Sequence, residues 1–157
     1  MHLLSLCRRG RAGFALTPEG EQLYAAGFVR ALAEGQAKAG APHTALATLA
    51  EAMGRVEASG ERHWEAEILR LRGEVALELG DSAAGGQSLQ NAIAVARRQE
   101  GRSWELRATV SLCRLWQRQG RIDEARQTLE RIYGWFTEGF DTPDLMEARE
   151  LLTQLSR

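Results

Sequence analysis

Small and apolar residues fall on helical stripes along this chain, and the stripes recur at a fixed interval. Three ladders share one spacing, at i, i+4, i+7, i+8 and i+11: Ala45, Leu49, Ala52, Met53 and Val56; Gly85, Leu89, Ala92, Ile93 and Ala96; Ala125, Leu129, Ile132, Tyr133 and Phe136. That spacing keeps one face of a 3.6-residue helix apolar. Each ladder starts shortly after a glycine, and Gly40, Gly80 and Gly120 are themselves forty residues apart. A unit of this size cannot bury its apolar face alone. The repeat therefore predicts an all-α chain in which hairpins of two helices stack into a small solenoid.

The first helix of each hairpin is also legible. Leu23, Tyr24, Phe28, Val29, Leu32 and Ala33 form a stripe opened by Thr17-Pro18-Glu19, a hydroxyl N-cap followed by proline and an acid in the first turn. In the middle unit Trp64, Ile68, Leu71, Val75 and Leu79 make an inward face. Gly60-Glu61-Arg62-His63-Trp64-Glu65 is answered by Glu100-Gly101-Arg102-Ser103-Trp104-Glu105, which sets the third unit in the same register, and Leu112, Leu115 and Trp116 continue it. The predicted repeats span about 19–58, 62–99 and 102–137. Asp141-Thr142-Pro143 then opens a last helix, 142–156, with Leu145, Ala148, Leu151, Leu152 and Leu155 on one side. Having no partner helix, it is expected to cap the stack. Residues 1–16 hold Arg8, Arg9 and Arg11 beside glycines and show no periodicity, so a flexible basic arm is expected ahead of a repeat domain at 17–157.

Counted from Gly80, Gly73 stands seven residues before and Leu89 and Ala92 nine and twelve after, while Ala125 and Leu129 follow Gly120 by five and nine. These offsets resemble the tetratricopeptide repeat, in which small residues let two antiparallel helices approach. The forty-residue period is longer than that family's thirty-four and implies helices about one turn longer. Gly85 stands where the family prefers alanine, which should loosen its helix by about 1 kcal/mol. The segments GERHWEAEILRLRGEVALELGD, RSWELRATVSLCRLWQRQGR and YGWFTEGFDTPDLMEARELL resemble the C-terminal repeats of bacterial multidomain signalling proteins. Those proteins join a class III adenylate or guanylate cyclase, or a winged-helix output domain, to an AAA-type ATPase. Over about residues 25–155 the resemblance implies a regulatory, partner-binding module without catalytic residues of its own. FALTPEGEQL also resembles the strand-to-helix corner of winged-helix regulators, but no recognition helix precedes it.

Composition narrows the function classes. The chain has 157 residues and a formal net charge of −1, so no overall field draws it to nucleic acid or an anionic membrane. Nothing approaches the length of an apolar membrane span. MHLLSLC is too short an apolar run, and lacks a basic lead, for a signal peptide. Cys7 and Cys113 make no metal-spaced pair, and both are expected to be reduced and inert, in a cytoplasmic setting. No P-loop or catalytic constellation is found, so neither enzymatic activity nor a cofactor is expected. His63 and Glu67, four apart, read as a surface pair; Cys113 reads as packing; Tyr133, Trp135, Phe136 and Phe140 read as core beside the last helix.

Candidate binding residues follow from the tetratricopeptide frame, in which the first helix of each pair lines a groove. That frame points Arg30, Glu34, Lys38, Glu67, Arg70, Glu74, Glu78, Arg107, Arg114 and Arg118 inward, with an acidic middle helix and a basic third. Such a face is either simply solvated or a groove for a peptide or protein partner with acidic and basic ends. Glu34 and Glu74 replace the asparagine with which some family members clamp chaperone tails, which disfavours that ligand. Tyr24, Phe28 and Leu32 have no preceding repeat to pack on, and are expected to mediate self-association or receive an upstream domain.

Overall fold

The computed structural model describes residues 18–60 and 62–157, with side-chain surroundings from residue 27 onward. The arm at 1–16, Thr17, Glu61 and the side chain of Tyr24 lie outside the described residues. The described residues are all-helical: α1 (Pro18–Lys38), α2 (Pro42–Ser59), a 3-10 turn (Arg62–Trp64), α3 (Glu65–Glu78), α4 (Ser82–Arg98), α5 (Arg102–Arg118), α6 (Ile122–Tyr133) and α7 (Pro143–Leu155). They contain no strand.

Three hairpins, α1/α2, α3/α4 and α5/α6, are each closed by the same turn. Gly40, Gly80 and Gly120 take φ of +79, +84 and +76°, a conformation that costs an L side chain strain. In each turn the glycine N–H donates to the carbonyl three residues back, and the next N–H donates five back: Ala41 to Gln36, Asp81 to Ala76, Arg121 to Trp116. This Schellman closure uses carbonyls that the helix end would leave unpaired. The turn from α4 to α5 repeats the bonds with Glu100 at φ +55°, the only non-glycine residue at positive φ among those described. Asp81 caps α4 by accepting from the Ala84 N–H at 2.9 Å. Thr142 occupies the cap position of α7 without capping it, because its hydroxyl donates to the Gly139 carbonyl instead.

Small residues mark where each hairpin crosses. Ala33 and Ala45, Gly73 and Gly85, and Cys113 and Ala125 stand in one register and are all buried. At the middle crossing the backbones come so close that a Cβ on Gly85 would lie 2.5 Å from Leu77 Cδ2 and 3.1 Å from the Gly73 carbonyl oxygen. The expectation that Gly85 merely loosens its helix is thus corrected: any gain from alanine is opposed by a clash with Leu77. Successive hairpins then pack in chain order, and the odd-numbered helices also touch one another, α1 on α3, α3 on α5 and α5 on α7.

The core follows the ladders. Ala33, Ala45, Leu49, Ala52, Val56, Ile68, Leu71 and Val75 form one cluster between the first hairpin and α3. A second joins Leu89, Ala92, Leu106, Leu129 and Ile132 to Leu145, Ala148, Leu151 and Leu155 of α7. The last helix thus shares the core of the second and third hairpins. The aromatic run departs from expectation: α6 ends at Tyr133, and Trp135 and Phe140 are exposed, leaving only Tyr133 and Phe136 partly in the core. The chain turns after Tyr133, and the two exposed rings lie against the ends of the ladder, Phe140 5.8 Å from Tyr133 and Trp135 5.3 Å from Phe136.

Two outcomes are expected. Gly85→Ala should lower stability by about 1–3 kcal/mol through overpacking; a raised urea midpoint would show that Leu77 gives way freely. Deleting residues 141–157 removes three buried leucines, each worth about 1.5–3 kcal/mol, from a total of about 5–15 kcal/mol. The truncated chain should melt far lower or aggregate, and an unchanged melting temperature would show that α7 is dispensable.

Candidate functional site

The charged positions picked out from the sequence come together across the odd-numbered helices, but as partners of one another. At the centre is Glu67 on α3, with only 1% of its surface exposed. The Arg70 guanidinium donates to it in bidentate fashion, Nε to Oε2 and Nη2 to Oε1, both at 2.8 Å. Arg107 Nη2 of α5 reaches Oε1 at 2.9 Å, and Arg30 Nη1 of α1 lies 3.9 Å away. Each arginine has a second acid: Arg70 donates to Glu74, Arg30 to Glu34 at 3.1 Å, and Arg107 lies 3.7 Å from Asp144 of α7. Lys38 donates to Glu34 at 2.8 Å, and the Ser111 hydroxyl donates to Glu74 at 2.6 Å. Arg114 pairs with Glu147 of α7 at 2.6 Å.

A groove with separate acidic and basic ends is therefore not what these side chains form. Opposite charges at neighbouring helices attract, and here they neutralise within the molecule. Glu67 and Arg70 are buried. Glu78 and Arg118, at the far ends of α3 and α5, are exposed and carry no ion pair among the described residues. The pairing of Glu67 with His63 is likewise corrected: Glu67 is enclosed by arginines, while His63 is exposed and meets Trp64 edge-on at 5.1 Å. Between α3, α5 and α7 there remains a polar cleft of about 80 Å³ lined by Arg70, Glu74, Arg107, Ser111, Asp144 and Glu147.

Magnitudes decide how available this face is. Burial opposes charge on Arg70, yet its hydrogen bonds to Glu67 and the charges of Glu74 and Glu67 outweigh it and hold its pKa above the usual arginine value. The Lys38 hydrogen bond, countered by burial and helped by Arg30, holds Glu34 below the usual carboxylate range. Its contribution to stability is present above its ordinary range and fades as pH falls through the lowered value. Drawing Arg70 towards an external ligand would strip Glu67 of its bidentate partner, a cost of about 3–5 kcal/mol, whereas drawing Arg107 away would leave that pair in place.

Two tryptophans stack the hairpins beside this network. Trp64 and Trp104 meet edge-on at 5.8 Å, with the Arg30 guanidinium 5.3 Å from the Trp64 ring and Arg107 5.5 Å from the Trp104 ring. Trp64 also lies against Gly27 of α1, where an added Cβ would sit 3.0 Å from the indole. Cys113 is buried at the third crossing, its thiol donating to the Ala125 carbonyl at 3.2 Å. Burial first, and the charge of Glu124 second, push its pKa up to about 12. No three His, Cys, Asp or Glu side chains converge as metal ligands among the described residues.

A second and larger cleft than the one between α3, α5 and α7 lies elsewhere. A cleft of about 510 Å³ opens between α2 and α4, over α3. Leu46, Leu69, Ala76 and Leu79 supply apolar surface, with Arg72, Asp81 and Gln87 among its polar residues. This site is absent from the residues singled out by the repeat, although a signal lies at one position: where the third unit has Trp116, the middle one has Ala76. On the remaining candidate surface, Phe28 is 65% exposed and Leu32 is also exposed. No helix among the described residues is long and apolar enough to cross a membrane. Comparisons with protein-family models, with curated proteins and with solved structures found no match to this chain.

Glu67→Gln, which keeps shape and removes charge, should cost about 3 kcal/mol or more in chemical denaturation; a loss below about 1 kcal/mol would mean that the arginines hold each other apart without it. In a Cys7→Ser background the Cys113 thiol should carry roughly a thousandth of an ordinary cysteine's thiolate. Iodoacetamide labelling should then track unfolding, and rapid labelling of the native chain would contradict its enclosure.

Proposed function

We propose that the chain is a non-catalytic scaffold that binds a peptide or protein partner, built as a tetratricopeptide-like superhelix of three antiparallel helix pairs and a capping helix. The observation that carries this reading is the recurrence, residue by residue, of turn, crossing and ladder in successive hairpins that pack in chain order. Arrays of this kind present extended surfaces assembled from neighbouring units, and their work is recognition. The buried carboxylates support it as well: Glu67 joins α3 to α5 and Glu105 joins α5 to α4, which is a structural task. A cytoplasmic setting fits the free Cys113. The alternative is a regulatory C-terminal fragment of an AAA-type ATPase or nucleotide cyclase signalling protein, in which the same surfaces would serve the enzyme.

A second reading concerns α1. Phe28 is 65% exposed, whereas the residues at its position in the next two units, Ile68 and Ala108, are each 0% exposed. The repeat covers that position elsewhere with the preceding hairpin. Self-association through α1, by Phe28 and Leu32 with Tyr24, follows from this asymmetry.

Titration calorimetry with ATP-magnesium and with zinc should be flat, while affinity capture from native lysate returns protein. Saturable micromolar binding of either small ligand, or no capture above a bead control, would overturn the scaffold reading. For α1, light scattering at roughly tens of micromolar should show association that Phe28→Glu abolishes without unfolding the later hairpins; a monomeric wild type removes the second reading.

A further inference from the structure

The residues lining the cleft between α2 and α4 have counterparts forty positions later in the same molecule. Moving its residues forward by the forty-residue register carries Arg72 to Leu112, Ala76 to Trp116 and Asp81 to Arg121. In the later unit Leu112 and Trp116 are buried, and the Arg121 guanidinium lies 4.6 Å from the Trp116 ring. In the middle unit the indole is replaced by the methyl group of Ala76 and the cation by a carboxylate. Leu46 likewise stands where α4 has Gly86, the residue on which Leu115 closes with 3.3 Å to an added Cβ. The first junction therefore carries a side chain where the second has none, and lacks the ring that fills the second. What remains is the open cleft of about 510 Å³, within the range of about 300–1,000 Å³ that ligand sites occupy.

We propose that this cleft is a binding site for a partner peptide presenting a tryptophan next to a basic residue. The indole takes the place that Trp116 occupies one unit later, over Ala76 and between Leu46, Leu69 and Leu79. The basic group meets Asp81, whose sign is opposite to that of the residue it replaces. Asp81 is exposed, and only its Oδ1 is used, by the Ala84 N–H. Arg72, exposed on the cleft wall, supplies a guanidinium that can stack on the ring from the other side, as Arg121 does on Trp116. Asp81 attracts the ligand's cation at one side of the cleft, Arg72 meets the face of the ring instead of the cation, and the apolar floor answers the ring. A volume larger than one indole leaves room for the flanking residue. This proposal rests on the reading of the chain as a peptide-binding scaffold and assigns it a face and a ligand chemistry.

The test titrates the full isotope-labelled chain with the blocked peptide acetyl-Gly-Trp-Lys-Gly-amide, reading backbone amide shifts. Saturable shifts clustered at Leu69, Ala76, Ala84 and Ser88 are expected, with a dissociation constant below about 1 mM. Replacing the peptide's lysine by glutamate should weaken binding at least roughly tenfold, and replacing its tryptophan by alanine should abolish it. Ala76→Trp should fill the cleft from within, abolish binding and leave the melting temperature unchanged or higher. Leu79→Asn, which leaves space but makes the wall polar, should weaken binding should the tryptophan variant fail to fold. Shifts absent at millimolar peptide, scattered over the molecule, or retained in Ala76→Trp would overturn the site. Free tryptamine binding as tightly as the peptide would overturn the peptide assignment. Capture of lysate protein that persists in Ala76→Trp, with no peptide binding, would remove this site while leaving the scaffold reading intact.

Discussion

A carboxylate with no access to water must be answered from within, and Glu67 imposes that condition on three helices at once. Its removal from solvent would cost several kcal/mol if left uncompensated. The protein meets that cost with Arg70 from the same helix and Arg107 from the next odd-numbered one, with Arg30 of the preceding helix at longer range. Arg107 also reaches Asp144 of α7, and the Ser111 hydroxyl of α5 donates to Glu74 of α3, so neighbouring odd-numbered helices are tied by polar contacts as well as by apolar packing. The hairpins could slide on a purely apolar contact. Here sliding would break the Arg107–Glu67 pair, a charge-assisted contact of 2.9 Å between α5 and α3.

The crossings supply the complementary constraint. Gly73 against Gly85 sets how closely α3 and α4 approach, and Cys113 against Ala125 repeats the arrangement with a thiol that finds a carbonyl. Close approach within a hairpin and charge between hairpins act on different faces of the same helices. The open cleft between α2 and α4 lies away from both the close crossing of Gly73 with Gly85 and the Glu67 network.

Much of the architecture was legible in the sequence because its signals are local or periodic. Gly40, Gly80 and Gly120 fix turns through backbone chemistry, and the ladders from Ala45, Gly85 and Ala125 fix burial through helical geometry. The charged face was legible in its membership but not in its role. Glu67 and Arg107 are forty residues apart with opposite signs, and Glu67, Arg70 and Glu74 have helical pairing distances; together these spacings hold the clue that the charges bind one another. What the pattern alone could not supply was burial, since a charged residue on a helix reads as solvated until its neighbours are in place. Gly85 was misjudged for the same reason, its reason for being lying in Leu77 of another helix. Trp135 and Phe140 read as core because the ladder ran to Phe136, yet the helix ends earlier, at Tyr133.

The signs of the charges on the odd-numbered helices have a bearing on how such a molecule could lengthen. The turns and crossings recur every forty residues, but the place of Glu67 is held by Gly27 in the first unit and by Arg107 in the third. Copying the middle hairpin in tandem would set a second acid where Arg107 now meets Glu67. The shape would accept any number of such units, whereas the charge accepts only a neighbour that presents a cation there.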